Sequence, residues 1–158
     1  MITVIGLGFV GLTTALGFSE KGFKVFGIEA DQERIDNLKN GRVPFHEPNL
    51  PEKLTQHLNN NFILTNDLAE ALKNSDLIML CVGTPSGDAG EVDLGPIQKA
   101  ITTILDMIHD DKFRVICIKS TVPPTTTQND VAGFLHESGK KLGTDIGLAN
   151  NPEFLREG

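Results

Sequence analysis

An α/β fold, a doubly wound parallel sheet of about six strands with helices on both faces, is predicted by three features of the chain. The glycine pattern Gly6-Leu7-Gly8-Phe9-Val10-Gly11 follows the apolar run Ile2 to Ile5 with no polar residue between them. Strand-like and helix-like segments then alternate to the end of the chain, as a parallel sheet with crossover helices requires. The run Leu77 to Val82 is apolar throughout, which suits a strand covered on both faces.

Element by element, the first strand is Ile2 to Ile5 and the first helix runs from about Val10 to Lys21, closing at Gly22. The second strand is Lys24 to Ile28. Asp31 is placed to cap a helix whose Ile35 and Leu38 share a face before Gly41 ends it. Residues Gly41 to Leu50 carry two prolines and no period, and read as a loop. Asn49 and Pro51 read as the cap and first residue of a helix ending near Asn59. Phe62 to Leu64 is a third strand, Asp67 to Lys73 a helix, and Leu77 to Val82 the fourth strand. Gly83 to Gly95 is a second glycine-rich loop. A helix at about Pro96 to Ile108 follows, with Ile97, Ile101, Ile104 and Ile108 on one stripe. Arg114 to Ile118 is the fifth strand, Pro123 and Pro124 introduce a helix to about Glu137, and Ile146 to Ala149 is the sixth strand.

The 158 residues, 39% of them apolar, suffice for one core and one domain. A net charge of −7 with scattered Lys and Arg argues against a nucleic-acid binder, and the absence of Tyr and Trp removes the usual stacking surface. No apolar run approaches the roughly 20 residues that span a bilayer, and Met1 leads straight into a strand, so a cytoplasmic protein without membrane contact is expected. Cys81 and Cys117 lie inside apolar runs without metal-ligand spacing and are read as small buried hydrophobes; no metal site is expected.

Strand, glycine turn and helix in this order form a Rossmann-like phosphate site. The first glycine permits the turn, the second lets the backbone approach a pyrophosphate, and the third lets the helix pack on the strand. Glu29 ends the second strand 18 residues beyond Gly11, where an acid accepts hydrogen bonds from an adenosine ribose and repels a 2′-phosphate. The expected cofactor is therefore NAD rather than NADP. Arg34, one turn into the next helix, has three readings: it stacks on adenine, pairs with a nearby acid, or accepts a 2′-phosphate.

With the strand order 3-2-1-4-5-6, ligands lie where the order reverses, between strands one and four. Gly6 to Gly11 and Val82-Gly83-Thr84-Pro85-Ser86 then face one crevice. Strand five brings Lys119-Ser120-Thr121-Val122 to the same edge, where Ser120 and Thr121 read either as site residues or as helix caps. Strand six brings Asn150 to Gly158. Glu153 and Glu157 are four apart and would share a helix face.

On these residues the chain resembles the N-terminal domain of the UDP-glucose/GDP-mannose dehydrogenases. The resemblance runs through GLGFVG, the acid ending strand two, FHEPNL, CVGTPS, KSTVPP and NPEFLREG, and so covers all 158 residues. It implies one NAD-binding domain over 1–158, with the family's central and C-terminal sugar-nucleotide regions outside this chain. It also implies oxidation of a sugar's C6 alcohol to the carboxylate with two NAD+, through a cysteine-bound thioester. UDP-glucose is the favoured substrate, with GDP-mannose and a UDP-N-acetyl-hexosamine as alternatives.

Carried over by position, the NAD contacts fall on Gly6, Leu7, Gly8, Phe9, Val10, Gly11, Glu29, Arg34, Val82, Gly83, Thr84, Pro85, Ser86, Ser120, Thr121, Val122 and Glu157. Thr121 resembles a threonine that helps hold a water, and Glu153 the base for thioester hydrolysis. Glu153, Phe154, Leu155, Arg156 and Glu157 would border the nucleotide-sugar. The family's nucleophilic cysteine and catalytic lysine come later than residue 158, so this chain is expected to bind NAD without turnover. The family resemblance implies a homodimer for the full-length parent, while a chain without the central region is free to be monomeric. A non-enzymatic NAD-binding regulatory module is the alternative of another class.

Overall fold

Six short strands form one parallel sheet in the computed structural model, which describes residues 1–86 and 92–156: β1 (Ile2–Ile5), β2 (Val25–Ile28), β3 (Phe62–Thr65), β4 (Leu77–Leu80), β5 (Arg114–Ile118) and β6 (Ile146–Asn150). Their spatial order is β3-β2-β1-β4-β5-β6, as predicted, and the progression reverses between β1 and β4. Register aligns the carboxyl ends: Ile5 lies opposite Ile28 and Leu80, Ile28 opposite Thr65, Leu80 opposite Ile118, and Ile118 opposite Asn150. Whatever follows each of these residues therefore meets at one edge.

The helices are α1 (Phe9–Glu20), α2 (Gln32–Lys39), α3 (Leu50–His57), α4 (Leu68–Asn74), α5 (Gly95–Met107) and α6 (Ala132–Glu137). Alternate strand residues point to opposite faces, and each face has its own core. Val4, Met79 and Cys117 pack with Leu12 and Leu16 of α1 and Leu54 of α3. Ile78, Leu80, Ile116 and Ile118 pack with Ile97, Ile101 and Ile104 of α5 and Leu135 of α6. The isoleucine stripe read from the sequence is the buried face of α5.

Asp31 caps α2 as expected, its side chain accepting from the backbone N–H groups of Glu33 and Arg34. Asn49 does not cap α3 with its side chain: its backbone is left-handed, with φ +63°, and only its carbonyl is used, by the N–H of Lys53 at 3.1 Å. Helix also begins later than Pro123 suggested. A proline disfavours helical backbone in the residue before it, Thr125 adopts φ +73°, and a π-helical turn at Thr127–Val131 precedes α6.

At the opposite edge of the sheet, Arg114 is 1% exposed yet fully engaged. Its guanidinium donates to both Asp110 carboxylate oxygens at 2.6 and 2.8 Å and to the carbonyls of Leu72 and Lys112 at 3.0 and 2.9 Å.

Candidate functional site

Gly6 leaves β1 with φ +89°, a conformation that costs glycine nothing, and a Cβ there would sit 2.8 Å from the Cys81 carbonyl oxygen. Gly11 is tighter: a Cβ would lie 1.8 Å from the Gly6 carbonyl oxygen, so α1 can approach the strand this closely only without a side chain at that position. Gly8 precedes α1 with no side-chain cap, and the first turn carries no acid. The first-turn N–H groups of α1 thus lack intrahelical partners and form a natural seat for an anion.

Glu29 follows β2 and is nearly buried, its side chain 9% exposed. Its Oε2 accepts from the Leu7 backbone N–H at 3.0 Å and from Arg34 Nη1 at 3.4 Å. Its Oε1 accepts from the backbone N–H groups of Ala30 at 2.8 Å and Asp31 at 3.0 Å. Of the readings left open for Arg34, pairing with a neighbouring acid is the one seen. The same guanidinium lies close to Gly8, with Nη1 3.8 Å from where a Cβ would stand.

The facing wall comes from the ends of β4 and β5, which are tied together. Ser120 Oγ donates to the Val82 carbonyl at 2.5 Å, and Thr84 Oγ1 to the Thr121 carbonyl at 3.2 Å. Ser120 and Thr121 therefore do not cap the next helix, which starts several residues later. Past β6, residues 151–156 are not helical, so Glu153 stands on no helix face. Glu153 instead accepts from the Leu155 N–H at 3.2 Å.

These elements enclose a cavity of about 830 Å³. Gly6, Gly8, Phe9, Val10, Glu29, Arg34, Val82, Gly83, Thr84, Ser120, Thr121 and Glu153 line it. Leu7 is fully buried and Gly11 buried, so both shape the loop from behind. Pro85, Ser86, Val122, Phe154, Leu155 and Arg156 lie outside its lining; Ser86 bridges to Val92, and Phe154 is 91% exposed. Glu157 lies outside the described residues. Sequence reasoning missed Ile35, Asn66 and Leu68, which also line the cavity. The signal was present: Asn66 follows β3, whose end is level with that of β2.

Burial pushes the Cys81 thiol up to about 12 and raises that of Cys117 as well, although Lys119 draws both the other way. Neither is a poised thiolate. Among the described residues no helix is long and apolar enough to cross a membrane, and no cluster of His, Cys, Asp and Glu could hold a metal ion. The cavity's size, the uncapped helix start and the acid at the β2 end fit a dinucleotide.

Residues 1–158 match the UDP-glucose/GDP-mannose dehydrogenase family, NAD binding domain. The chain is 42% identical over 159 aligned positions to the GDP-mannose 6-dehydrogenase of Pseudomonas syringae pv. tomato, covering 99% of this chain and 36% of that protein. It is 36% identical to the UDP-glucose 6-dehydrogenase of Haloferax volcanii, covering 99% of this chain and 37% of that one. The solved GDP-mannose dehydrogenase of Pseudomonas aeruginosa shares the fold with a TM-score of 0.92 at 37% identity, over 99% of this chain and 36% of that one. The chain thus spans little more than a third of the length of these relatives.

Proposed function

Because the chain belongs to the UDP-glucose/GDP-mannose dehydrogenase family, as its NAD-binding domain, we propose that it forms the cofactor half of an enzyme oxidising the C6 alcohol of a nucleotide-sugar to the carboxylate. The supporting observation is that Glu153 and Thr121 line the same cavity as the glycine loop and Glu29. A purely regulatory NAD-binding module has no use for a base at that place.

NAD+, when bound, supplies the hydride acceptor, two NAD+ being used in turn for the four-electron oxidation. The first-turn N–H groups of α1 would hold its pyrophosphate, and Glu29 would take the adenosine ribose hydroxyls. Glu29 already has four hydrogen-bond partners, about the capacity of a carboxylate. The ribose must displace one, and the Arg34 contact, the longest at 3.4 Å, is the one that yields. Its guanidinium is then free for the phosphates or the base. Ser120 and Thr84 hold the opposite wall in place through the Val82 and Thr121 carbonyls.

At the far end Thr121 would orient a water and Glu153 take its proton as the water attacks the thioester carbon; the C–S bond breaks, the acid leaves, and the proton passes to the departing cysteine sulfur. By the family resemblance, the backbone from Phe154 to Arg156 would border the nucleotide-sugar. Burial leaves Cys81 and Cys117 out of this chemistry, and the family resemblance assigns the nucleophile to another cysteine. The substrate class is a UDP- or GDP-hexose. UDP-glucose is favoured as the more widespread activity, and the named relatives include enzymes of both kinds.

Calorimetry with NAD+ tests the cofactor half: the 158-residue chain binds without turnover, and no heat or stabilisation at millimolar NAD+ removes the reading. In the full-length parent, Glu153→Gln slows acid release by on the order of 100-fold or more while the first hydride transfer persists. Unchanged steady-state turnover takes Glu153 out of the mechanism. Assays with UDP-glucose and GDP-mannose in parallel identify the substrate. Light scattering is expected to show the 158-residue chain as a monomer and the full-length parent as a homodimer.

A further inference from the structure

The cavity has two chemically different ends. Over β4, β5 and β6 it is walled by Thr84, Ser120, Thr121 and Glu153, and over β2 and β3 by Ile35, Asn66 and Leu68. The first end carries the groups assigned above to water and the reacting carbon. The second end has no role so far.

We propose that Asn66 reads the adenine edge of the dinucleotide, with Ile35 and Leu68 as the apolar slot for the base. This rests on the NAD reading and deepens it. Thr65 lies opposite Ile28 in the sheet, so Asn66 stands beside Glu29, one strand spacing away. A carboxylate placed for the ribose thus has an amide next to it, on the side where the attached base must go.

The neighbours of Asn66 are already committed. The Asp67 carboxylate caps α4 by accepting from the Glu70 N–H at 2.9 Å, and the Asp67 N–H donates to Thr65 Oγ1 at 3.0 Å. The Asn66 carbonyl accepts from the Leu68 N–H at 3.1 Å. These bonds hold the turn, while the Asn66 side-chain amide has no hydrogen-bond partner among the described residues. Leu68, half-buried, packs against Phe26, Ile28 and Ala71, and Ile35 is 4% exposed, so the slot walls are fixed.

An adenine presents flat apolar faces and an edge that pairs an amino donor at N6 with an acceptor at N1. A primary amide offers an acceptor and donors side by side, the complement of that edge. The nicotinamide also carries an amide, but its reacting carbon must lie near Glu153, at the other end.

The test compares NAD+ with its 1,N6-etheno analogue, whose bridge blocks N1 and removes the N6 donors, on the 158-residue chain and on Asn66→Ala. Asn66 is exposed and outside helix and strand, so the variant keeps the fold, checked by its thermal midpoint. Asn66→Ala is expected to weaken NAD+ about fivefold and to leave the etheno analogue within about twofold. Equal losses for both ligands, or no loss for either, overturn the assignment of Asn66 while leaving the NAD reading intact. If the unmodified chain binds neither ligand, the NAD reading itself fails, and this inference with it.

Discussion

The Glu29 carboxylate accepts the Leu7 backbone N–H at 3.0 Å, so the acid that ends β2 also fastens the turn that leaves β1. The carboxylate proposed to read the ribose and the glycine turn proposed to hold the pyrophosphate are thereby joined by a direct hydrogen bond. The extra methylene of glutamate over aspartate lets the carboxylate reach Leu7 while its other oxygen folds back onto Ala30 and Asp31.

Glu29→Ala removes this tie, leaves the Leu7 N–H without its acceptor and frees Arg34. NAD+ affinity is expected to fall about tenfold, the worth of one charge-assisted bond. Discrimination against NADP+ falls with it, because Arg34 can then meet a 2′-phosphate. Calorimetric titration with both dinucleotides checks this; a variant that keeps its preference for NAD+ would show that Glu29 does not set it.

Two glycines of the loop are expected to respond in opposite ways. Gly11→Ala places a methyl 1.8 Å from the Gly6 carbonyl oxygen and must push α1 off the strand, costing about 3 kcal/mol or more of stability in urea denaturation. Gly8→Ala meets no protein atom closer than the Arg34 guanidinium at 3.8 Å and leaves the fold stable. It is expected to abolish NAD+ binding all the same, because the methyl occupies the pyrophosphate's approach.

Arg114 holds the Asp110 carboxyl down at about 2, below the ordinary 3.8. A depressed carboxylate contributes stability above its unfolded value, and that contribution is lost as pH falls through the folded value. The pair therefore supports the fold above pH about 4 and ceases to do so near pH about 2. Asp110→Ala is expected to cost about 2 kcal/mol at neutral pH, less than a fully buried pair because Asp110 is half exposed and Arg114 keeps two carbonyl acceptors. Its stability also changes less than that of the parent between pH 4 and 2, as urea midpoints across that range will show.

Thr125 holds φ +73° with a β-branched side chain on the surface. Asparagine tolerates this backbone far better. Thr125→Asn is therefore expected to raise stability by about 0.5–1 kcal/mol, read as an increase in thermal midpoint. A decrease would mean that Thr125 contributes through its side chain.

Every strand was legible in the sequence, because short apolar runs between turn residues have few other uses. The glycine loop was legible because strand, turn and helix follow one another without a gap. The start of the last helix was not: Pro123 and Pro124 look like a helix beginning, yet the chain needs Thr125 in a left-handed conformation and a π-helical turn to return to the sheet. Asn49 misled for a similar reason, since an asparagine before a helix suits either a side-chain cap or a left-handed backbone, and here it takes the second.

By itself the sequence determined the strands, the glycine turn, the acid that follows β2 and the family, because these depend on local spacing and on residue types adjacent in the chain. Only the tertiary structure decided which of those residues share the cavity. It placed Asn66 beside Glu29, occupied the Glu29 carboxylate with Leu7 and Arg34, tied Ser120 to Val82, and left Pro85 and Phe154 outside. These relations join strand ends that are distant in sequence, and register across the sheet sets them rather than any local propensity.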